Sequence, residues 1–460
     1  MQFFNFLLNA GPTVMLPVII TIIGLIFGLK FTKAFKSGLT LAIGFAGIKL
    51  VINFMSTNLG PAAQAMVKHL GVKLDALDVG WGSIAAVTWS SPIIAILIFA
   101  IFAVNMLMLV LKATKTLDVD IWNYHHMAIV GVMVYFVTHN IFLGVAASVT
   151  MAITTFKIAD WSAPLVERFF GIPGVTLPTV SALSSLVIAW PLNWLLDCIP
   201  GINKIKFSVR DAQKYLGFFG DQMILGLLMG FVIGLLARYD IIKSFELGVN
   251  MAAVLILIPK MTSLFMEGLM PISEAAKGFT QKYFKGRELF IGLDAAVVVG
   301  NPDVITTALI LIPLTIFMSV VLPGNRVLPF ADLAVIPFRV AMVVALTRGN
   351  LFKNLIIGLV TTASLLYFGT FTAPILTEVA QTVGIDLAIA GGAIMISSFA
   401  STSMVQSFLV FMAFTGNLMI TMPIMILVIA ASWYYFDIIQ PRVKKVTDEK
   451  VTVTDSPNRM

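Results

Sequence analysis

Long apolar runs separated by short polar or charged intervals set the pattern of this chain. A helix needs about 20 predominantly apolar residues to cross a bilayer. The runs that qualify are Gly11–Lys30, Gly38–Met55, Pro92–Leu111, Met127–Phe156, Val175–Asp197, Gln222–Ala237, Gly248–Met261, Val304–Val321, Asp332–Leu346, Leu355–Pro374 and Gln406–Trp433. A weaker run covers Ile385–Ala400. The pattern predicts an all-α polytopic membrane protein with about 11 transmembrane helices. Polar residues interrupt long runs at Thr138–Phe142 and Arg348–Phe352, so the crossing number stays open there.

The second half of the pattern repeats the first at a constant offset of 210 residues. Pro61 in NLGPAAQAM matches Pro271 in GLMPISEAA. GSIAAVTWSSP (Gly82–Pro92) matches GLDAAVVVGNP (Gly292–Pro302), and THNIF (Thr138–Phe142) matches RGNLF (Arg348–Phe352). Five crossings per copy is an odd number, so the second copy is expected to be inverted in the membrane. Inverted repeats characterise many transport folds, with substrate held near the midplane by interrupted helices.

Each copy opens with two plain spans. A polar stretch follows (Asn58–Val79; Glu267–Phe290), too charged to span and expected to lie along the interface as an amphipathic helix. Then comes a short apolar run that stops at a proline, Gly80–Pro92 or Gly292–Pro302. A dozen residues cannot cross a bilayer, so both are expected to be re-entrant. Their unpaired backbone groups must then be buried in protein or line a cavity.

Composition agrees: 59% of the 460 residues are hydrophobic and only 12% are charged, about half the usual charged fraction. The net charge of +7 raises nucleic acid as a partner. The basic residues instead fall in short inter-span segments: Lys30, Lys33 and Lys36; Lys112 and Lys115; Lys204, Lys206, Arg210 and Lys214; then Lys260 to Arg287, and Arg442 to Lys445. Alternation places most of the basic residues on one side, predicting an outside N-terminus and a cytoplasmic C-terminus. The first residues read as the approach to the first span rather than a removed signal peptide. The single Cys198 excludes disulfides and Cys-rich metal sites, and no metal-binding histidine spacing or cofactor motif is present.

Polar side chains inside apolar segments are expensive and therefore mark candidate sites. Thr88 and Trp89 sit at the first re-entrant tip, with Ser90 and Ser91. Asp294, Asn301 and Asp303 sit at the second; His139 and Asn140 interrupt a long helix, and Asn350 is the counterpart of Asn140. Asp221 and Gln222 open the second copy. Such Asp, Asn, Gln, His, Thr and Trp side chains suit a polyol or sugar, whose hydroxyls both donate and accept. An anion would call for Arg or Lys, and the broken segments hold none before Arg348. Each residue also has a purely structural role open to it: helix capping for Asp221, His139 and Asn140, and interface anchoring for Trp81 and Trp89. His125 and His126, beside the polar DVDIWNY, are expected at the membrane interface.

Several motifs in order resemble the galactitol family of phosphotransferase-system permeases, the membrane IIC subunit. They are GPTVMLP (Gly11–Pro17), DVGW (Asp78–Trp81), TW (Thr88–Trp89), DIWN (Asp120–Asn123), IKFS (Ile205–Ser208) and IGLD (Ile291–Asp294). IPLTI (Ile312–Ile316), LPGN (Leu322–Asn325), VLPFADLA (Val327–Ala334) and RGNLF continue the series; the last hundred residues carry less of it. The resemblance implies a permease of the bacterial inner membrane that binds a polyol outside. It releases the polyol inside as a phosphate ester formed by a separate IIB protein, itself phosphorylated through IIA. It further implies a homodimer in which a mobile core moves against a fixed scaffold in elevator fashion. By position, residues 1–200 form the first repeat (scaffold 11–56, core 78–198) and 201–219 a cytoplasmic linker. Residues 220–400 form the second repeat (scaffold 220–263, core 288–400), followed by a final transmembrane helix at 401–437 and a cytoplasmic tail at 438–460.

Thr88, Trp89, His139, Asn140, Asp221, Gln222, Asp294, Asn301 and Asp303 are expected to form the polyol site. IIA and IIB are expected to be separate chains, and Cys198, beside Pro200 at a span end, is not expected to be phosphorylated. The rival reading is a transporter of a polyol or sugar driven by H⁺ or Na⁺, with Asp294 and Asp303 as relays. A membrane enzyme is disfavoured because neither HExxH nor GxSxG occurs.

Overall fold

The computed structural model describes residues 12–69, 74–89, 91–118, 120–202, 205, 207, 222–283, 289–329, 331–383 and 395–440. Asp221, most of the expected linker and the tail beyond 440 lie outside them. The first half contains α1 (Pro12–Ile26), α2 (Phe31–His69), β1 (Ala76–Asp78), α3 (Gly80–Trp89), α4 (Ile94–Val110) and β2 (Thr116–Asp118). It continues with α5 (Ile121–Thr138), α6 (Ile141–Leu165, ending in a π turn), β3 (Val175–Thr176) and α7 (Val180–Cys198). The second half contains α8 (Gln222–Leu236), α9 (Ile241–Tyr283), β4 (Phe290–Gly292), a 3-10 turn (Ala295–Val297) and α10 (Pro302–Val321). Then follow β5 (Val327–Leu328), a 3-10 turn (Ala331–Val335), α11 (Ile336–Thr347), α12 (Leu351–Thr382), β6 (Met395–Ser397), α13 (Val405–Thr415) and α14 (Leu418–Tyr434, ending in a π turn). Among the described residues, five helices are long and apolar enough to cross a membrane.

The helices differ from expectation where polarity and helicity part company. The polar stretches after the second span of each half form no separate interfacial helix. They continue α2, through Pro61, and α9 as single helices of 39 and 43 residues. Segments such as AAQAMVKH and SEAAKG are rich in good helix formers, so the change in polarity shows where the helix leaves hydrocarbon, not where it stops. The run Met127–Phe156 breaks at His139, whose φ is 51°, and Asn140 caps α6 by accepting from Phe142 N and Leu143 N. The run Gln406–Trp433 also divides: Gly416 ends α13 and the Asn417 side chain caps α14.

Six short strands were not foreseen. Segments of two or three residues carry no readable alternation. All six pair in parallel, in two sheets: β5-β1-β6 and β2-β4-β3. In each sheet the central strand comes from one half of the chain and both edges from the other. The halves are therefore interleaved. Helices α1, α2, α8 and α9 pack chiefly on one another, with α2 against α9. Glycine lets them approach closely: a Cβ on Gly38 would lie 2.6 Å from Pro17 O, and one on Gly248 2.5 Å from Leu227 O.

A two-pronged ion pair fastens the first sheet from outside. Arg326, just before β5, holds Asp75, just before β1, with Nε 2.9 Å from Oδ1 and Nη2 on Oδ2. Hydrogen bonding from Arg326 keeps the Asp75 carboxyl below the usual carboxylate range. That stabilisation is present at neutral pH and is lost as pH falls through the lowered value. The melting temperatures of wild type and Arg326→Gln should differ slightly at pH 7, since the pair is half-exposed, and should converge in strong acid. A gap that persists there would contradict this role.

Candidate functional site

Parallel strands point their C-terminal ends the same way, so the segments that follow them meet at one edge of each sheet. Both edges here are built around carboxylates. At the first, Asp78 ends β1 and accepts from Gly80 N (3.2 Å) and Asp332 N (2.9 Å). Asp332 accepts from Trp81 N (2.9 Å), Ser398 Oγ (2.7 Å) and Ala400 N (2.9 Å). One buried side chain thus joins the start of α3, the turn before α11 and the loop after β6. Arg339 on α11 is also buried, and Asp332 and Asp78 are the acidic groups whose field acts on it. Its Nη2 lies 3.3 Å from Thr362 Oγ1.

At the second edge, Asp118 ends β2 and accepts from Asp120 N (3.2 Å) and Asn123 Nδ2 (3.0 Å). Thr179, after β3, donates to Asn123 Oδ1 at 2.9 Å and accepts from Ala295 N at 2.8 Å. Asp294, after β4, caps the adjacent 3-10 turn through Ala296 N (2.7 Å) and lies 3.4 Å from the Thr179 hydroxyl.

The first two turns of α5 connect the two edges. Asn123 reaches the second edge through Thr179. His125 packs against Trp81 of α3, ring centroids 6.1 Å apart, and lies 3.5 Å from Ser401 Oγ in the loop after β6. His126 stacks on His125 at 3.9 Å. Only 1% and 7% of the two residues are exposed, so protein encloses both side chains. Among the described residues, Asp118 Oδ2, His126 Nδ1 and, at the first edge, Arg339 Nε and Nη1 are buried without a hydrogen-bond partner. Buried polar atoms rarely stay unsatisfied, so this hub has spare capacity for a polar ligand. It offers carboxylate, imidazole, amide and hydroxyl groups. No group of three His, Cys, Asp or Glu among the described residues is placed to hold a metal.

The expected site residues divide. Asp294 lies in the hub. Thr88 is buried near the end of α3 and bonds back to Ile84 O at 2.7 Å; Trp89 ends the same helix. His139 and Asn140 are exposed at the opposite end of α5, about 20 Å along the helix from His125. Asn301 caps α10 through Asp303 N and Val304 N. Asp303 lies beside the α11–α12 break, where a Cβ on Gly349 would be 2.8 Å from its Oδ2. Gln222 opens α8, and Asp221 lies outside the described residues. Sequence reasoning passed over Asp118, Asn123, Thr179, Asp332, Arg339 and Ser401. Four of these precede or start helices in polar stretches, where capping alone would account for them. Asn123 and Asp332 nevertheless stand inside DIWN and VLPFADLA.

Long apolar helices, several of them interrupted, mark a helical membrane protein. The chain belongs to the family described as the PTS system sugar-specific permease component, EIIC-GAT, whose model matches residues 5–391. It is 41% identical over 380 residues, 83% of this chain and 84% of the relative, to the galactitol-specific EIIC component of the PTS system of Escherichia coli (strain K12). A putative permease IIC component of the same strain is 39% identical over 385 residues, 84% of this chain and 88% of the relative. Membership makes the chain a membrane permease subunit that works with IIB and IIA components.

Proposed function

We propose that this permease binds and translocates a sugar alcohol, galactitol or a close hexitol, and releases it inside as the phosphate ester formed by a separate IIB protein. The observation that carries the substrate is the 41% identity, over most of both chains, to a galactitol-specific component. The hub supports it. A polyol presents only hydroxyls, and the hub supplies both donors and acceptors, with the Trp81 ring beside them for C–H surface. Asp294 of the expected site lines the polyol there, together with Asp118 and His126, and Thr88 and Trp89 are assigned to the end of α3. His139, Asn140, Asn301 and Asp303 are assigned to the helix breaks that flank the path, and Asp221 and Gln222 to the start of the second repeat.

The inverted repeat and its two-part division belong to the same proposal. Helices α2 and α9 begin 210 residues apart, as do α6 and α12. The positive φ of Gly28 recurs at Arg238, and the approach of Gly38 to Pro17 recurs as Gly248 to Leu227. Exchanging the halves turns strand order β5-β1-β6 into β2-β4-β3. These matches support two copies of one unit. The mutual packing of α1, α2, α8 and α9 supports a scaffold, dimeric and fixed, against which the remainder moves as an elevator. The N-terminus is assigned outside and the C-terminus to the cytoplasm.

Binding of galactitol, other hexitols and pentitols to purified protein tests the substrate, with galactitol expected to bind most tightly. Asp294→Asn should weaken polyol binding by about 10- to 100-fold, the worth of a hydrogen bond to a charged group, and leave the protein folded. Wild-type affinity in this variant would remove Asp294 from the site.

A further inference from the structure

A second site lies away from the hub, against α14. No residue of that helix is buried, and the gap between it and the body is a cavity of about 370 Å³. Its wall is overwhelmingly hydrocarbon, from Ile153 and Ile158 of α6, Leu409 and Ala413 of α13, and Met425 and Val428 of α14. The α14 wall runs from Thr421 to Trp433, a length of about 18 Å. One leaflet of hydrocarbon is about 15 Å thick. The cavity therefore matches a single acyl chain lying along the helix.

The cavity continues into a second, wider one of about 600 Å³, with Ile158, Trp161, Val187 and Ser432 lining both. This bay is different in kind. It is walled by Trp190, Trp194, Tyr435 and Phe436, with Asn193 and Asp197 among them. Clustered Trp and Tyr mark headgroup depth. Two ion pairs border it, and both are turned the same way. Lys157 is 8% exposed while its partner Asp437, at 2.8 Å, is 38% exposed. Lys353 is 9% exposed while its partner Asp197 is 50% exposed. Asp437 is held by Lys157 and by Trp161 Nε1, so the half-exposed Asp197 is the carboxylate that lines the bay, among aromatic faces of the kind that attract cations.

We infer that the two cavities form one binding site for an amine-bearing zwitterionic phospholipid. Its acyl chain lies along α14 and its ammonium group sits in the aromatic bay against Asp197. A phosphatidylglycerol headgroup has no cation to offer this carboxylate, and a choline headgroup has no N–H to donate to it. Helices α13 and α14 lie beyond residue 391, where the family match ends, whereas the α6 and α7 walls of the site lie within it.

The test is native mass spectrometry of the detergent-purified protein with added phosphatidylethanolamine, phosphatidylcholine or phosphatidylglycerol, alongside melting temperatures. Phosphatidylethanolamine should be retained about tenfold more than phosphatidylglycerol and should raise the melting temperature most. Ala413→Phe should displace the acyl chain and abolish retention of all three. Trp194→Ala, at a side chain already 68% exposed, should keep lipid but lose the ethanolamine preference, and it covers the case in which Ala413→Phe does not fold. Equal retention of the three lipids by wild type would overturn the inference. So would wild-type selectivity in Trp194→Ala, or a change of oligomeric state in Ala413→Phe, which would assign the groove to a second copy of the chain.

Discussion

Asp332→Ala is expected to reduce polyol phosphorylation more than 100-fold and to destabilise the protein by at least about 3 kcal/mol, taking about 1–3 kcal/mol for each buried donor left unpaired. The carboxylate accepts from Trp81 N, Ser398 Oγ and Ala400 N. Its loss strands three donors, of which Ser398 Oγ and Ala400 N are buried. It also frees the start of α3 and the loop after β6, the two segments that hold Trp81 and Ser401 against His125. Both stability and site geometry should fail together. Asp332→Asn keeps one oxygen acceptor and should fall between the two on both counts. Melting curves and in vitro phosphorylation with the partner proteins provide the check. Full activity in Asp332→Ala would mean that the first sheet edge does not organise the site.

The second large effect is expected at a helix crossing. Gly131 of α5 faces Gly144 and Ser148 of α6, and a Cβ at Gly131 would overlap the Gly144 carbonyl and the Ser148 hydroxyl. A Cβ at Gly144 would come within 2.9 Å of Gly131 O. Membrane helices gain their packing energy by such close approach of small residues. Gly131→Val should therefore force α5 and α6 apart, at a cost of about 3 kcal/mol, the upper end for overpacking because backbone must move. Because α5 carries Asn123, His125 and His126, a tilt of that helix should also reduce polyol affinity in whatever protein still folds. Gly131→Ala should show the same change in weaker form. Unchanged melting and binding in Gly131→Val would contradict the crossing.

The apolar runs locate most of the helices, because hydrocarbon imposes a length and a composition on whatever crosses it. The paired interruptions at Asn140 and Asn350 are legible for the same reason, and both residues prove to be helix caps. Elements held by contacts distant in sequence are not legible. Strand β1 pairs with residues about 250 and 320 positions away, and no local pattern announces that. The site is half legible. Asp294 stands out as a carboxylate inside an apolar run, whereas Asp332 looks like the polar start of a span and acts as the fastener of three segments. The burial of His125 and His126 is not legible either, because a polar neighbourhood suggests water, whereas Asp118 and Asn123 bond to one another inside the protein. Arg339 sits among apolar neighbours on α11, where its charge is opposed by carboxylates that the sequence places at different distances.

Coupling of transport to phosphorylation is the central claim, and uptake into membrane vesicles tests it most directly. Vesicles carrying this permease, loaded with phosphoenolpyruvate and the partner phosphotransferase proteins, are given labelled galactitol, and the internal product is separated as free polyol or phosphate ester. The expected result is accumulation of the phosphate ester, dependent on IIB and insensitive to an uncoupler. Accumulation of unphosphorylated polyol that collapses with the uncoupler would contradict the account and restore the ion-driven transporter.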